Sequence, residues 1–299
     1  MKALVTGGAG FIGSNLVDAL IDDGNKVIVI DNLLTGKEDN LNIKADFHKV
    51  DIRDLNIIRP LFNNIDYVFH TAAFPRVQPS IEDPIKTNDI NLNGTLNVLK
   101  ASQEAHVNKV IYSASSSAYG DQCVMPLKET MEVNPLSPYG LQKYVGELYC
   151  RLFTKIYGLN TISLRYFNVY GKRQVLEGAY CLVIGIFLRQ RLTNDPMTIV
   201  GDGSQRRDFT SVIDVVKANI LAAKSKINEG EVINIGNGYN YSVNELAKMI
   251  GGPIINMPSR IEPKETLADN SLAYKLLGWR PIIELPKWIK EYKKDMELK

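Results

Sequence analysis

The chain has 299 residues, about two domains' worth at roughly 150 residues each. Its 45% hydrophobic and 23% charged residues, with 13 prolines, describe a globular protein and exclude a disordered or collagenous one. Thirty-five basic against 33 acidic side chains leave a net charge of +2, too even to advertise a nucleic-acid or anionic-membrane partner. Cys123, Cys150 and Cys181 are far apart and form no C-x-x-C pair, so reduced thiols are expected rather than a disulfide framework or a zinc site. No basic leader followed by a long apolar segment opens the sequence, and no apolar run reaches the ~18 residues of a membrane span. A soluble, cytoplasmic protein is expected.

In chain order, short β-branched apolar runs at 2–5, 26–30, 66–70, 109–113 and 160–164 read as buried strands. Helical patterns at 12–23, 55–62, 84–105 and 138–157 alternate with them. This rhythm predicts an α/β fold with a doubly wound parallel sheet over residues 1–170. From 171 to 299 the rhythm loosens around Gly171, Gly178, Gly201 and Gly203, with helical patterns at 214–223, 242–250 and 285–294. That part is expected to be a smaller substrate-binding cap, and a strand-like run near 230–236 is expected to return to the first domain.

Gly7, Gly10 and Gly13 follow the first strand and open the first helix. There they permit a tight turn, close approach of a pyrophosphate, and close packing of helix on strand, with the helix N-terminus facing the negative charge. Asp31 ends the second strand, where a carboxylate accepts hydrogen bonds from the adenosine ribose and repels a 2′-phosphate, so NAD is expected over NADP. Asp51 and Ile52, after the next strand-like segment, are candidate adenine contacts.

Tyr139 and Lys143 stand four apart on a helix that Ser137 and Pro138 start, so phenol and ammonium share a face. At ~4 Å and an effective dielectric near 20, the cation favours the phenolate by about 4 kcal/mol, or roughly three pKa units. Tyrosine then becomes a usable general base at neutral pH. Ser115, after the fourth strand and so at the carboxyl edge of the sheet, is placed to hold a reacting hydroxyl near Tyr139.

With these residues assembled, the sequence resembles the extended short-chain dehydrogenase/reductase superfamily, in particular its nucleotide-sugar 4-epimerases. The resemblance runs from Met1 to about Trp279 and rests on several motifs in order. They are the glycine turn, Asp31-Asn32-Leu33, His70-Thr-Ala-Ala73, Asn91-Leu-Asn-Gly-Thr95, Ser115 with Tyr139 and Lys143, 165–171, 201–209 and Leu267-Ala-Asp269. It implies an NAD site that also takes in Phe11, Ile12, Asn32, Ala72, Ala73 and Lys143, with Asn91 near the proton relay. It further implies a UDP-sugar held by Ser115, Ser116, Ser117, Tyr139, Asn168, Arg207 and Arg260. Dehydrating relatives carry an Asp-Glu pair just after the position of Ser115, and decarboxylating ones keep a Glu; Ser116 and Ser117 stand here instead. Epimerisation at C4 through a 4-keto sugar, without net redox, is the reaction this leaves.

The resemblance aligns Thr266 with a position that is bulky in glucose/galactose enzymes and small in those admitting N-acetyl sugars. UDP-N-acetylglucosamine and UDP-N-acetylgalactosamine are therefore the favoured pair, with UDP-glucose and UDP-galactose as further substrates. A glucose/galactose-only enzyme, a UDP-uronic acid epimerase and a non-catalytic NAD-binding sensor stay open as alternatives. A homodimer through helices 84–105 and 138–157 is also implied. No metal site is expected, and His70 is expected to pack or bond backbone beside the cofactor.

Overall fold

β1 (Lys2–Thr6), α1 (Phe11–Asp22) and β2 (Lys26–Asp31) form the first βαβ unit. Ala3 to Val5 and Val27 to Ile30 are all buried, the near-continuous apolar pattern of strands covered on both faces. Then come β3 (Asp46–Lys49) and α2 (Leu55–Ile58). The helix predicted over 55–62 tightens at Arg59–Phe62 into a 3-10 turn, since Pro60 has no N–H to continue the ladder. β4 (Tyr67–His70) leads to α3 (Val77–Glu82), α4 (Pro84–Asn88) and α5 (Gly94–Glu104). The single helix predicted over 84–105 is broken by a π turn at Asp89–Asn93. β5 (Lys109–Ser115) extends two residues past its predicted end and carries Ser115 at its carboxyl tip. α6 (Pro138–Tyr157) starts where the Ser137 hydroxyl accepts the Gly140 N–H and Pro138 fills the first helical position; Gly158 ends it at φ +67°. β6 (Thr161–Tyr166) follows.

The later chain is more regular than its sequence pattern indicates. It runs through β7 (Val169–Tyr170), α7 (Val183–Leu192), β8 (Met197–Val200), β9 (Arg206–Asp208), β10 (Thr210–Ser211) and α8 (Val212–Lys224). β11 (Glu231–Ile235), β12 (Asn240–Ser242), α9 (Val243–Ile250), β13 (Ile254–Met257), α10 (Ser271–Leu277) and α11 (Leu285–Asp295) complete it. A computed structural model describes residues 1–176, 181–259 and 262–298.

Seven strands make one sheet in the order β11-β6-β5-β4-β1-β2-β3, every pair parallel. This is the doubly wound, Rossmann-type α/β fold. The order reverses between β1 and β4, and the crevice outside the carboxyl ends of those strands is where such sheets bind ligands. α1, α8, α10 and Trp279 cover one face of the sheet, and α2, α5 and α6 the other. α7, β8, α9 and α11 enclose a separate core around Phe187, Leu246 and Ile289. Residues beyond 171 thus serve both the sheet and the cap. Asp208, fully buried, joins the two: its carboxylate accepts the N–H groups of Asn237, Gly238 and Ala268, and burial pushes it up to about 6.

Among the described residues no helix is long and apolar enough to cross a membrane, and no group of His, Cys, Asp and Glu could hold a metal ion.

Candidate active site

A cavity of about 1340 Å³ opens at the carboxyl edge of the sheet and runs from Asp31 and Asp51 at one end to Arg207 and Thr266 under the cap. It exceeds the roughly 300–1,000 Å³ of a drug-sized pocket.

The first turn is shaped by what its glycines leave out. Gly7 has φ +73°, and a Cβ there would lie 2.7 Å from the Ala72 backbone; a Cβ at Gly13 would collide with the Gly7 carbonyl. Gly10 begins α1 with no side chain capping its amides, and Gly7, Gly10, Phe11, Ile12 and Gly13 all line the cavity. Open helical N–H groups beside a backbone stripped of side chains fit a pyrophosphate. At the end of β2, the Asp31 carboxylate accepts the Ala9 N–H at 3.0 Å and the Leu33 N–H at 2.8 Å. Its desolvation pushes its pKa up. The Asn32 amide donates to Asp51, which the Arg53 guanidinium holds down at about 2. Ile52, Ala72 and Ala73 close the same wall. These residues fit the dinucleotide's adenosine and diphosphate.

Ser115, Tyr139 and Lys143 line the middle of the cavity. The Ser115 oxygen is 2.6 Å from that of Ser117 and accepts the Ser117 N–H. Lys143 is buried, donates to the Ser113 carbonyl at 2.8 Å and lies 5.0 Å from the centre of the Tyr112 ring. Its burial pushes the ammonium down to about 8. Burial pushes the Tyr139 phenol up, opposed first by the Arg76 guanidinium and then by a hydrogen bond with Ser115. The Lys143 ammonium stands one turn along α6 from Tyr139 and is held by the Ser113 carbonyl at the end of β5.

Asn91 is buried and is not among the residues lining the cavity: its Oδ1 accepts the Phe74 N–H, and its Nδ2 donates to the Phe74 carbonyl and to Gln142. With both ends of the amide engaged it positions the loop at Phe74. His70 bonds the hydroxyls of Thr6 and Thr95 rather than backbone, and burial lowers it to about 3, keeping it neutral.

Ser116, Ser117, Asn168, Arg207 and Thr266 line the same cavity. Asn168 donates to the Asp208 carbonyl at 2.9 Å, and the Arg207 guanidinium is paired with Glu262 at 2.8 Å. Arg260 lies outside the described residues. Arg76, Gln174, Cys181 and Glu262 also line the cavity and carry no local pattern in the sequence. The nearest signal for Arg76 is its place in the loop leaving the carboxyl end of β4.

Residues 3–236 match the model of the NAD dependent epimerase/dehydratase family. The chain belongs to that family. It is an enzyme, and NAD is its cofactor. It is 43% identical to the putative UDP-glucose 4-epimerase of Methanocaldococcus jannaschii, over 96% of this chain and 95% of that protein. The structure of the Thermotoga maritima UDP-glucose 4-epimerase with UDP-glucose superposes with a TM-score of 0.94 at 39% identity, covering 99% of this chain and 100% of that one. The UDP-N-acetylglucosamine 4-epimerase of Methanobrevibacter ruminantium M1, in complex with UDP-N-acetylmuramic acid, gives a TM-score of 0.93 at 39% identity, covering 98% and 97%. Within the family, this member keeps serines at 116 and 117 and threonine at 266.

Proposed function

We propose that the UDP-sugar 4-epimerase activity named for these relatives is directed in this chain at UDP-N-acetylglucosamine and UDP-N-acetylgalactosamine, with UDP-glucose and UDP-galactose as further substrates. The observation carrying this reading is that Ser115, Tyr139 and Lys143 line one cavity together with the glycine turn and Thr266. The Tyr139 phenolate takes the proton of the sugar 4-hydroxyl while Ser115 holds that oxygen by a hydrogen bond. NAD, held at the glycine turn and Asp31, would supply reversible hydride chemistry at the sugar's C4, with no net redox over the full reaction. Tyr139 then gives the proton back. Asn168 and Arg207 hold the diphosphate end, and Ser116 and Ser117, having no carboxyl group, offer no acid for dehydration.

Incubating the purified protein with UDP-N-acetylglucosamine, UDP-glucose and UDP-glucuronic acid and resolving products by proton NMR tests the reading. The 4-epimer of the N-acetyl sugar is expected to form fastest. Turnover of the uronic acid alone would move the assignment to that substrate, and NAD binding without any epimer would make the chain a sensor.

Threonine at 266 leaves room for an acetamido group. Its hydroxyl makes only long contacts, 3.4 Å from the Asn168 amide and from the Asp208 N–H. Thr266→Tyr is expected to lower kcat/KM for the N-acetyl pair by about 10- to 100-fold, the effect of overfilling a pocket by 1–3 kcal/mol, and for the glucose pair by only a few-fold. Comparable losses on both pairs would contradict the size argument.

We also propose a cytoplasmic homodimer without a nucleic-acid partner. Leu141, Leu148, Leu152 and Ile156 form an exposed apolar stripe along α6, and Ile85 on α4 is 83% exposed. Light scattering on a gel-filtration column is expected to give twice the chain mass of 33.4 kDa.

A further inference from the structure

Thr6 and His70 stand opposite one another at the carboxyl ends of β1 and β4, where the strand order reverses. Both are buried, and so are Thr95 on α5 and Asn91 in the π turn. The hydrogen bonds among them leave each proton one place to go.

At one end the Asn91 carbonyl can only accept, and the Thr95 hydroxyl donates to it at 2.6 Å. The 2.8 Å bond between that hydroxyl and His70 Nε2 must then be donated by the ring. At the other end the Thr6 hydroxyl accepts the Ala72 N–H at 3.3 Å and lies 2.7 Å from His70 Nδ1. A neutral ring with its proton on Nε2 has a bare Nδ1, which accepts the Thr6 proton. The opposite tautomer would set the Nε2 lone pair against the Thr95 oxygen and leave the Thr6 proton without an acceptor. Both ends therefore demand the same form, and one directed chain runs from the Ala72 N–H through Thr6, His70 and Thr95 to the Asn91 carbonyl.

The two ends of the chain meet again in one loop. The Ala72 backbone lies so close to the glycine turn that a Cβ at Gly7 would stand 2.7 Å from it. Asn91, whose carbonyl closes the chain, grips the N–H and the carbonyl of Phe74 with its side-chain amide at 2.7 and 3.0 Å. Thr71, Ala72 and Ala73, which lead up to that grip, line the cavity together with Gly7, Gly10 and Gly13.

We infer that His70 is a positioning residue for the dinucleotide: as the neutral Nε2–H tautomer it holds the wall at residues 71–73 against the glycine turn and so slows the escape of NAD. The inference rests on the reading of this cavity as the NAD site.

The chain has three histidines, so labelling them with the heavy nitrogen isotope gives three imidazole signals by NMR. His48→Gln and His106→Gln, at partly and fully exposed positions, identify the third as His70 by elimination. In the NAD-loaded enzyme at neutral pH that ring is expected to carry its proton on Nε2 alone. A proton on Nδ1 overturns the inference without any change to the buried residues. Release of NAD from the loaded enzyme is then followed by exchange against isotopically labelled NAD. Thr6→Val and Thr95→Val each cut the chain while keeping the branched side-chain shape. Each is expected to release NAD about tenfold faster, the scale of one lost hydrogen bond, with kcat at saturating NAD within about threefold of the parent. Release at the parent rate in either variant, whatever its melting temperature, would make the chain a structural feature only and overturns the inference. An Asp31→Asn enzyme that releases NAD at the parent rate overturns the reading of the cavity beneath it.

Discussion

Replacing Tyr139 by Phe is expected to lower kcat roughly a thousand-fold while NAD stays bound, the middle of the 10²–10⁴ range for removing a positioned proton-transfer group. The substitution takes away one oxygen and leaves the ring. The N–H of residue 139 still has Ser80 as its acceptor, so the helix start is unchanged. KM for the sugar nucleotide is expected to change little, because the diphosphate contacts proposed above fall on Asn168 and Arg207 and not on the phenol. Retention of more than about a tenth of turnover would remove Tyr139 from the proton-transfer step. The parent enzyme supplies a companion test. Burial lowers Lys143 to about 8, so its ammonium is present below that pH and lost above it. An alkaline limb in kcat is expected there, because the cation then leaves the catalytic wall.

Glu147→Gln is expected to cost about 3–5 kcal/mol of stability, the loss that follows when one partner of a buried ion pair is removed. Glu147 and Arg165 are nearly inaccessible, at 1% and 3%, and meet through two bonds of 2.9 and 2.7 Å, while Arg165 stacks 4.5 Å from the Tyr119 ring centre. The glutamine variant would strand a guanidinium that already has one buried nitrogen without a partner. At roughly 2 °C per kcal/mol for a chain of this size, the melting point is expected to fall by about 6–10 °C. The double variant Glu147→Met with Arg165→Met is expected to recover most of the loss, since an apolar pair of similar volume avoids the desolvation of both charges. Glu147 also lies one turn beyond Lys143 and helps keep it protonated. The alkaline limb of kcat in Glu147→Gln should therefore move below its parent position. A melting point within about 2 °C of the parent would contradict the assignment of this pair as a structural anchor.

The parts of the site that were legible in the sequence are those fixed by local spacing. A turn needing glycine at 7, 10 and 13 announces itself within seven residues, and an i,i+4 pair such as Tyr139 and Lys143 needs only a helix to share a face. The sheet was legible where both faces of a strand are covered, as in β1, β2 and β5. The short pairs β8 with β13 and β9 with β12 were not, because strands of three or four residues, partly exposed, carry no pattern that distinguishes them from loops. Asn91 was placed near the proton relay by the family resemblance alone, not by any local spacing. Its actual bonds depend on a π turn that no local spacing encodes. Arg76 gave no signal beyond its place in the loop leaving β4, since that loop is held by Asn91 and by the backbone of Tyr139, both distant in sequence.

The π turn at Asp89–Asn93 carries one extra residue within an otherwise α-helical run. A helix advances about 100° per residue, so excising one position there would restore regular winding and swing residue 91 through more than a quarter circle. Its amide would let go of Phe74, and the loop at Arg76, where φ is +90°, would be free to relax toward ordinary backbone angles. A length difference of a single residue, in a turn that gives the cavity only Ile90, is thus enough to release the loop that closes over the carboxyl end of β4.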